Sequence, residues 1–142
     1  MTHVLITGAA SGIGLALSTV CLQKGHTVIM VDNNEIKLLS EIERLNSQFS
    51  GAILAHVCDI TQPDAVQQLA STLYNKLSYI NWIFNNAGII GNVAPIWQQN
   101  LEQIKKVIDV NVFGMIHMIQ SFMPLLLQQQ SPAHIINMAS LY

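Results

Sequence analysis

The chain has 142 residues, of which 51% are hydrophobic and only 10% are charged. This length suits one domain with a sizeable core and is short for two, so residues 1–142 are predicted to form a single domain. The formal net charge of −2 comes from 6 Lys and Arg residues against 8 Asp and Glu residues, scattered without runs. Because this is not the basic footprint that binds phosphate backbones, nucleic acid is not expected as a partner.

The sequence also argues against a disulfide framework, a metal site and a targeting segment. Cys21 and Cys58 stand apart, with no CxxC pattern and no cluster of histidines, so both are interpreted as buried thiols in a reduced compartment. The N-terminus enters an apolar strand without a basic segment or cleavage signal, which predicts a cytoplasmic location. The most apolar stretch, 110–127, is interrupted by polar residues and by Pro124, which is interpreted as a helix kink or end. We therefore expect a buried helix there and no membrane association.

Short apolar runs alternate with helix-like segments along the whole chain, starting with a strand at 3–7 and a helix at 13–24. The other strands are predicted at 27–31, 52–58, 81–85 and 133–139, and the other helices at 35–49, 63–77 and 98–127. Strict alternation with nearly continuous apolar strands is typical of a parallel sheet that is buried on both faces. The prediction is a doubly wound, Rossmann-type α/β fold with strand order 3-2-1-4-5, truncated before any later strands.

A glycine-rich turn, Thr7-Gly8-Ala9-Ala10-Ser11-Gly12-Ile13-Gly14, joins the first strand to the first helix. Glycines at such a place let the backbone turn sharply and approach a pyrophosphate at the helix N-terminus. The spacing is GxxxGxG, and many strand-to-helix loops need glycine for structural reasons alone. Its position directly after a strand favours nucleotide binding.

Asp32 stands at the end of the second strand. A carboxylate there can accept hydrogen bonds from the ribose hydroxyls of adenosine, and it would repel a 2′-phosphate. No Arg or Lys lies within 8–14 or at Asn33 and Asn34 to attract that phosphate. The cofactor predicted from these residues is NAD, although a solvated loop aspartate is the plainer alternative.

Several short motifs then follow one another in a definite order: TGAASGIG at 7–14, CDI at 58–60, NNAG at 85–88, Asn111 within DVNVFG, and NMAS at 137–140. Together they closely resemble the short-chain dehydrogenase/reductase family, and the resemblance covers the whole chain. It implies an NAD-dependent oxidoreductase that transfers hydride between the cofactor and a small-molecule alcohol or carbonyl substrate.

The resemblance also implies which residues meet the cofactor. Asp59 and Ile60 would hold the adenine edge, although a loop cap after a strand is the plainer interpretation of both. The NNAG turn would pack against the cofactor, with Asn86 both structural and cofactor-facing. The complete set of expected NAD-binding residues is Gly8, Ser11, Gly12, Ile13, Gly14, Asp32, Asp59, Ile60, Asn86, Ala87 and Gly88.

Two catalytic residues are implied in the same way. Asn111 lies on an otherwise apolar helix, where a buried amide needs a hydrogen-bond partner. In the family that partner is a water of a proton relay, and the simpler alternative is a neighbouring backbone carbonyl. Ser140 would hydrogen-bond the substrate oxygen, although without the resemblance it is only a turn serine. His117 and His134 are interpreted as structural.

The sequence departs from the family at the acid–base pair, a tyrosine followed by lysine four positions later, in which the lysine lowers the tyrosine pKa. Only Leu141 and Tyr142 follow Ser140, and no tyrosine in the chain is followed by lysine at that spacing. The chain is therefore expected to be the cofactor-binding half, inactive by itself, and it leaves the substrate unidentified. It is either a fragment of a longer enzyme or a short, non-catalytic nucleotide-binding or oligomerisation module.

Association between copies is a further expectation. The helix predicted over 101–127 is apolar nearly all round in its second half. The fifth strand would also leave an unpaired sheet edge, which invites pairing with another chain. A homo-oligomer is therefore predicted.

Overall fold

The computed structural model describes residues 2–50 and 52–140. Its strands are β1 (His3–Thr7), β2 (Thr27–Asp32), β3 (Ile53–Val57), β4 (Trp82–Asn85) and β5 (His134–Asn137). Its helices are α1 (Gly12–Gln23), α2 (Glu35–Gln48), α3 (Pro63–Leu77), α4 (Leu101–Ile108) and α5 (Met115–Gln128), with a short 3₁₀ turn at Ile96–Gln98. Strands and helices alternate as the apolar periodicity predicts.

All five strands form one parallel sheet in the order β3-β2-β1-β4-β5, which confirms the predicted fold class. The most buried strand, β1, lies in the middle and pairs with both β2 and β4. Starting from β1, the chain places β2 and β3 on one side and then β4 and β5 on the other side, so the direction of the strand order reverses at β1. This reversal creates the crevice at the carboxyl ends of the strands where open α/β sheets bind ligands.

Two hydrophobic cores cover the two faces of the sheet. Alternate residues of β1 point to opposite faces, so that Val4 and Ile6 join α1 and α2 while Leu5 joins α3 and α5. On the second face, Phe122 of α5 is fully buried against the sheet. The helices therefore hold the sheet from both sides and bring their ends to the crevice.

The prediction of burial on both faces is correct for β1 and for most of β2, and wrong for β3 and β5. Every residue of β1 is buried, whereas β3 and β5 contain only half-buried and exposed residues. The reason is positional, because β3 and β5 are the outer strands of the sheet described here.

The long helix predicted over 98–127 differs from the structure in two ways, its start and its winding, and continues through Pro124. It begins at Leu101 behind Asn100, whose side chain accepts a hydrogen bond from Glu102 N–H at 2.8 Å. Residues Asp109–Gly114 form a π-helical turn between α4 and α5. Pro124 does not end the helix, because α5 continues to Gln128 and buries Phe122 and Leu126 on either side of the proline.

The helical segment Leu101–Gln128 is long and apolar enough, by length and composition, to cross a membrane. The core helix of a soluble protein meets the same criterion. In the structure only 28% of the apolar window is buried. Met118, Phe122 and Leu126 pack into the core beneath the sheet, whereas α4 buries no residue, so the expectation of a buried helix is correct for one face of α5 only.

Candidate functional site

A cleft of about 700 Å³ opens at the carboxyl ends of the central strands. Its walls come from the loops after β1, β2, β3 and β4 and from α4 and the π-helical turn. Its lining residues include Gly8, Ser11, Gly12, Ile13, Asp32, Asp59, Ile60, Asn86, Ala87 and Gly88. Every residue predicted to bind the cofactor therefore lines one cleft, except Gly14.

Glycine is required at each of these three positions of the first turn for a different physical reason. Gly8 and Gly12 have φ of +65° and +51°, which L side chains rarely adopt. A Cβ on Gly8 would lie 2.9 Å from the Cα of Ala87, so the loops after β1 and β4 touch here. A Cβ on Gly14 would overlap the Gly8 carbonyl oxygen and lie 2.6 Å from Nδ2 of Asn86. Gly14 is buried and allows α1 to approach the loop, rather than lining the cleft.

Thr7 joins the ends of β1 and β4. Its buried Oγ1 accepts hydrogen bonds from the N–H groups of Asn86 and Ala87, both at 3.0 Å, and donates to Phe84 O at 3.4 Å. Nδ2 of Asn86 donates in return to Thr7 O at 3.0 Å. No role was predicted for Thr7, although a hydroxyl at the end of an otherwise apolar buried strand indicates a polar partner. These bonds fix the floor of the cleft.

Asp32 is half-buried at the end of β2 and lines the cleft. Oδ2 accepts a hydrogen bond from Ala10 N–H, and Oδ1 accepts one from Asn34 N–H, both at 3.0 Å. These bonds fix the orientation of the carboxylate and attach it to the glycine turn. Each oxygen has a second lone pair that can accept a further hydrogen bond.

Two lysines that were not predicted as site residues also line the cleft, Lys37 from the first turn of α2 and Lys106 from α4. The ion pairs among residues 2–50 and 52–140 are Arg44 with Glu41 and Lys105 with Glu102. Neither cleft lysine is therefore paired with a carboxylate in that part of the chain. The position of Lys37 could have indicated that it lies at the cleft, because it follows Asp32 closely and belongs to the first turn of α2, the helix after β2.

Asp59 and Ile60 follow β3 and lie in the cleft wall. Oδ1 of Asp59 accepts hydrogen bonds from Thr61 N–H at 2.9 Å and from Thr61 Oγ1 at 2.8 Å, which is the loop cap left open as an alternative. Ile60 is buried, and its carbonyl oxygen lies 2.9 Å from Nδ1 of His117. His117 therefore has a structural partner, as interpreted.

Asn111 lies on the π-helical turn and is exposed, so the prediction of a buried amide is wrong for the described chain. Most side chains of the π-helical turn remain exposed, and Gly114 is its one buried residue. The predicted hydrogen-bond partner is present and is backbone: Oδ1 accepts from Ile89 N–H at 2.8 Å and Nδ2 donates to Ile89 O at 3.0 Å. Asn111 thus holds the residue that follows Gly88.

Ser140 is exposed beyond the end of β5 and does not line the cleft, and Tyr142 lies outside the described residues. A pair of amides that was not predicted lies nearby, at the ends of β4 and β5. Buried Asn85 donates through Nδ2 to Oδ1 of Asn137 at 2.8 Å, while Oδ1 of Asn85 has no hydrogen-bond partner among the residues that the structure describes.

Among the described residues, the lining of the cleft includes the thiol of Cys58. Burial raises the pKa of the Cys58 thiol, and the negative charge of Asp59 raises it further, so this cysteine is a neutral thiol near neutral pH. Across residues 2–50 and 52–140, no group of three or more His, Cys, Asp or Glu side chains could hold a metal ion.

A glycine turn and a fixed carboxylate at the switch point of a parallel sheet define the dinucleotide-binding class of α/β folds. Within that class, the family model described as short chain dehydrogenase matches residues 2–142. The chain belongs to the short-chain dehydrogenase family, a family of oxidoreductases.

Known relatives agree with this assignment. The chain is 39% identical over 138 residues to 1-deoxy-11-beta-hydroxypentalenate dehydrogenase of Streptomyces avermitilis, covering 96% of this chain and 51% of that protein. The crystal structure of a short-chain dehydrogenase/reductase from Burkholderia phymatum in complex with NAD matches with a TM-score of 0.91 and 29% identity, over 99% of this chain and 49% of that one. A short-chain dehydrogenase from Shigella flexneri complexed with NADP matches with a TM-score of 0.90 and 27% identity, over 98% and 59%. The chain thus spans about half the length of the curated relative and of the NAD complex.

Proposed function

We propose that residues 1–142 are the NAD-binding domain of a short-chain dehydrogenase that transfers hydride between NAD and a small-molecule alcohol or carbonyl substrate. The observation that carries the choice of NAD is the carboxylate of Asp32, held by Ala10 and Asn34 at the cleft. A fixed carboxylate can accept hydrogen bonds from both ribose hydroxyls, whereas it repels a 2′-phosphate.

The remaining assignments follow the cleft from one wall to the other. Ser11, Gly12 and Ile13 would meet the pyrophosphate at the start of α1, while Gly8 and Gly14 give the turn its shape. Asp59 and Ile60 would bind the adenine edge, because Oδ2 of Asp59 makes no hydrogen bond within the described chain. Asn86, Ala87 and Gly88 would pack against the rest of the cofactor. Bound NAD supplies the hydride acceptor, and the chain's own residues bind and orient it.

Asn111 and Ser140 are proposed as the catalytic residues that this chain contributes. Asn111 would hold a water of the proton relay, and Ser140 would hydrogen-bond the substrate oxygen. Neither has a pKa suited to passing the proton near neutral pH, and the acid–base pair Tyr-x-x-x-Lys is not in this sequence. We expect the chain by itself to turn over no alcohol or carbonyl substrate.

Calorimetric titration with NADH and NADPH tests this function. We expect the chain to bind NADH more tightly, and Asp32→Ala to lose that preference while Asp64→Ala, an exposed carboxylate on α3, retains it. Equal or tighter binding of NADPH by the unmodified chain would refute the choice of NAD.

An oligomerisation module is the second candidate, and one observation favours it. Six large apolar side chains remain 38–78% exposed along α4, the π-helical turn and α5, namely Leu101, Ile108, Val112, Phe113, Met123 and Leu127. Such a surface is typical of a contact between subunits. The two functions are compatible, and we propose a homo-oligomer that acts in the cytoplasm without a nucleic-acid or membrane partner.

A further inference from the structure

A short series of hydrogen bonds connects Asp32 to the first turn of α2. Asn34 N–H donates to Oδ1 of Asp32 at 3.0 Å, and Oδ1 of Asn34 accepts from Lys37 N–H, also at 3.0 Å. Asn34 thus caps α2 and fixes the backbone of Lys37 relative to the Asp32 carboxylate. The Asp32 carboxylate and the backbone that carries the Lys37 side chain are therefore held together at one corner of the cleft.

Lys37 brings the positive charge of that corner. Its side chain lines the same cleft as Asp32, and its ammonium has no carboxylate within ion-pair distance among residues 2–50 and 52–140. The neighbouring Asn33 and Asn34 also line the cleft and are neutral. Lys37 is consequently free to pair with an anionic group bound beside Asp32.

We infer that Lys37 is a specificity residue that sets how strongly the cleft discriminates against a phosphate on the adenosine ribose. The inference rests on the proposed function, because it assumes that the ribose lies at Asp32. A 2′-phosphate would carry a charge of about −1.5 to −2 at neutral pH, so Asp32 repels it and the Lys37 ammonium attracts it. A ribose diol is neutral and gains little from the lysine. The preference for NAD over NADP is therefore a matter of degree, because the attraction of Lys37 for a 2′-phosphate offsets part of the repulsion by Asp32.

The test compares NADH and NADPH binding by Lys37→Gln, Lys37→Arg and the matched control Lys105→Gln. Lys105 lies on α4 outside the cleft and pairs with Glu102, so its replacement removes the same charge elsewhere. We expect Lys37→Gln to weaken NADPH binding about three- to tenfold while NADH binding changes less than about twofold. Lys37→Arg should preserve NADPH binding, and Lys105→Gln should change neither. Weak NADPH binding is measured by competition against bound NADH.

A second arm uses Asp32→Asn, which removes the repulsion. This variant should bind NADPH more tightly than the unmodified chain, and adding Lys37→Gln should cancel most of the gain. If Lys37→Gln changes the affinities for NADH and NADPH equally, or changes NADPH binding no more than Lys105→Gln does, the role inferred for Lys37 is refuted while the proposed function stands. If the unmodified chain binds neither cofactor, the proposed function is wrong and the inference fails with it. Circular dichroism of each variant confirms that it is folded.

Discussion

Gly12 and Gly14 stand two positions apart in the same turn and differ in what they tolerate. At Gly12 a Cβ would meet open space, and an L residue would be strained only by the backbone φ of +51°. At Gly14 a Cβ would overlap the Gly8 carbonyl. We expect Gly12→Ala to lower the free energy of unfolding by about 1–2 kcal/mol and Gly14→Ala to lower it by about 3 kcal/mol.

Urea unfolding followed by circular dichroism separates these two costs, with NADH titration of each variant that remains folded. Gly14→Ala should also displace Asn86 and so weaken NADH binding more than Gly12→Ala does. Equal destabilisation by the two variants would contradict the close packing of α1 on the loop.

Tyr74 makes the stability of the fold sensitive to alkaline pH. Burial raises its pKa to about 12, and its hydroxyl donates to Oε1 of Gln129 at 2.8 Å. Because the folded pKa lies above the unfolded value of about 10, this contribution to stability is fully present below pH 10 and is lost as the pH rises through 12. Stability measured from pH 9 to 12 should therefore fall more steeply for the unmodified chain than for Tyr74→Phe.

At neutral pH the Tyr74→Phe variant should lose only about 1 kcal/mol, because Gln129 Oε1 still accepts a hydrogen bond from Ile80 N–H at 3.1 Å. Parallel pH curves for the two proteins would show that the Tyr74 hydroxyl titrates normally in the folded state.

Single residues also show what the sequence could not predict. The sequence could predict that the glycines, Asp32 and the NNAG turn lie together at the cleft, because each occurs next to a strand end, where the fold places ligands. Gln129 was only part of a polar loop in the sequence, yet its amide donates to Ile80 O at 2.9 Å and accepts from Ile80 N–H. Asn111 holds Ile89 in the same way. An amide that bonds a distant peptide group leaves no local pattern, so neither partner could be predicted.

At the scale of elements, the π-helical turn is the feature that periodicity missed. Apolar spacing distinguishes a helix from a strand, but one extra residue within a turn hardly changes it. The turn brings Asn111 to the peptide group of Ile89 and so determines the path of the chain after β4. Hydrophobic pattern predicted where the helix lies, but it could not predict the π-helical winding of Asp109–Gly114.

Replacing Asn111 by Ala should release the segment after β4. Both hydrogen bonds to Ile89 would be lost, so amide exchange at Ile89 should accelerate, while exchange in β1 should change little. The control is Asn92→Ala, an exposed amide later in the same segment. Unchanged exchange at Ile89 would contradict the restraint.

Pro124 offers a prediction for α5. A proline inside a helix removes one backbone hydrogen bond and crowds the preceding turn, at a cost of about 3 kcal/mol in general. Because Pro124 is exposed and α5 continues past it, Pro124→Ala should raise the midpoint of thermal unfolding. A lower midpoint would show that the proline has a packing role that the helix needs.

At the scale of the whole molecule, the apolar surface along α4 and α5 predicts association. Phe113 is 48% exposed and lies near its centre, so Phe113→Glu should shift the chain towards the monomer in light scattering at tens of micromolar. Lys76→Glu, a charge change on α3, serves as the control. A clean monomer for the unmodified chain at that concentration would exclude this homo-oligomer.

The central position of β1 has a consequence for synthesis on the ribosome. β1 can pair with β2 as soon as the first 32 residues have emerged, but its other edge pairs with β4, at Trp82–Phe84. Because synthesis adds about 5–20 residues per second, that edge of β1 remains unpaired for several seconds. During this interval Thr7 lacks the Asn86 and Ala87 groups that lie 79 and 80 positions further on, so the wall of the cleft that follows β4 is not yet joined to the glycine turn. Nascent chains arrested before β4 emerges should therefore bind no cofactor, and a chaperone that recognises bare strand edges would have its best opportunity here.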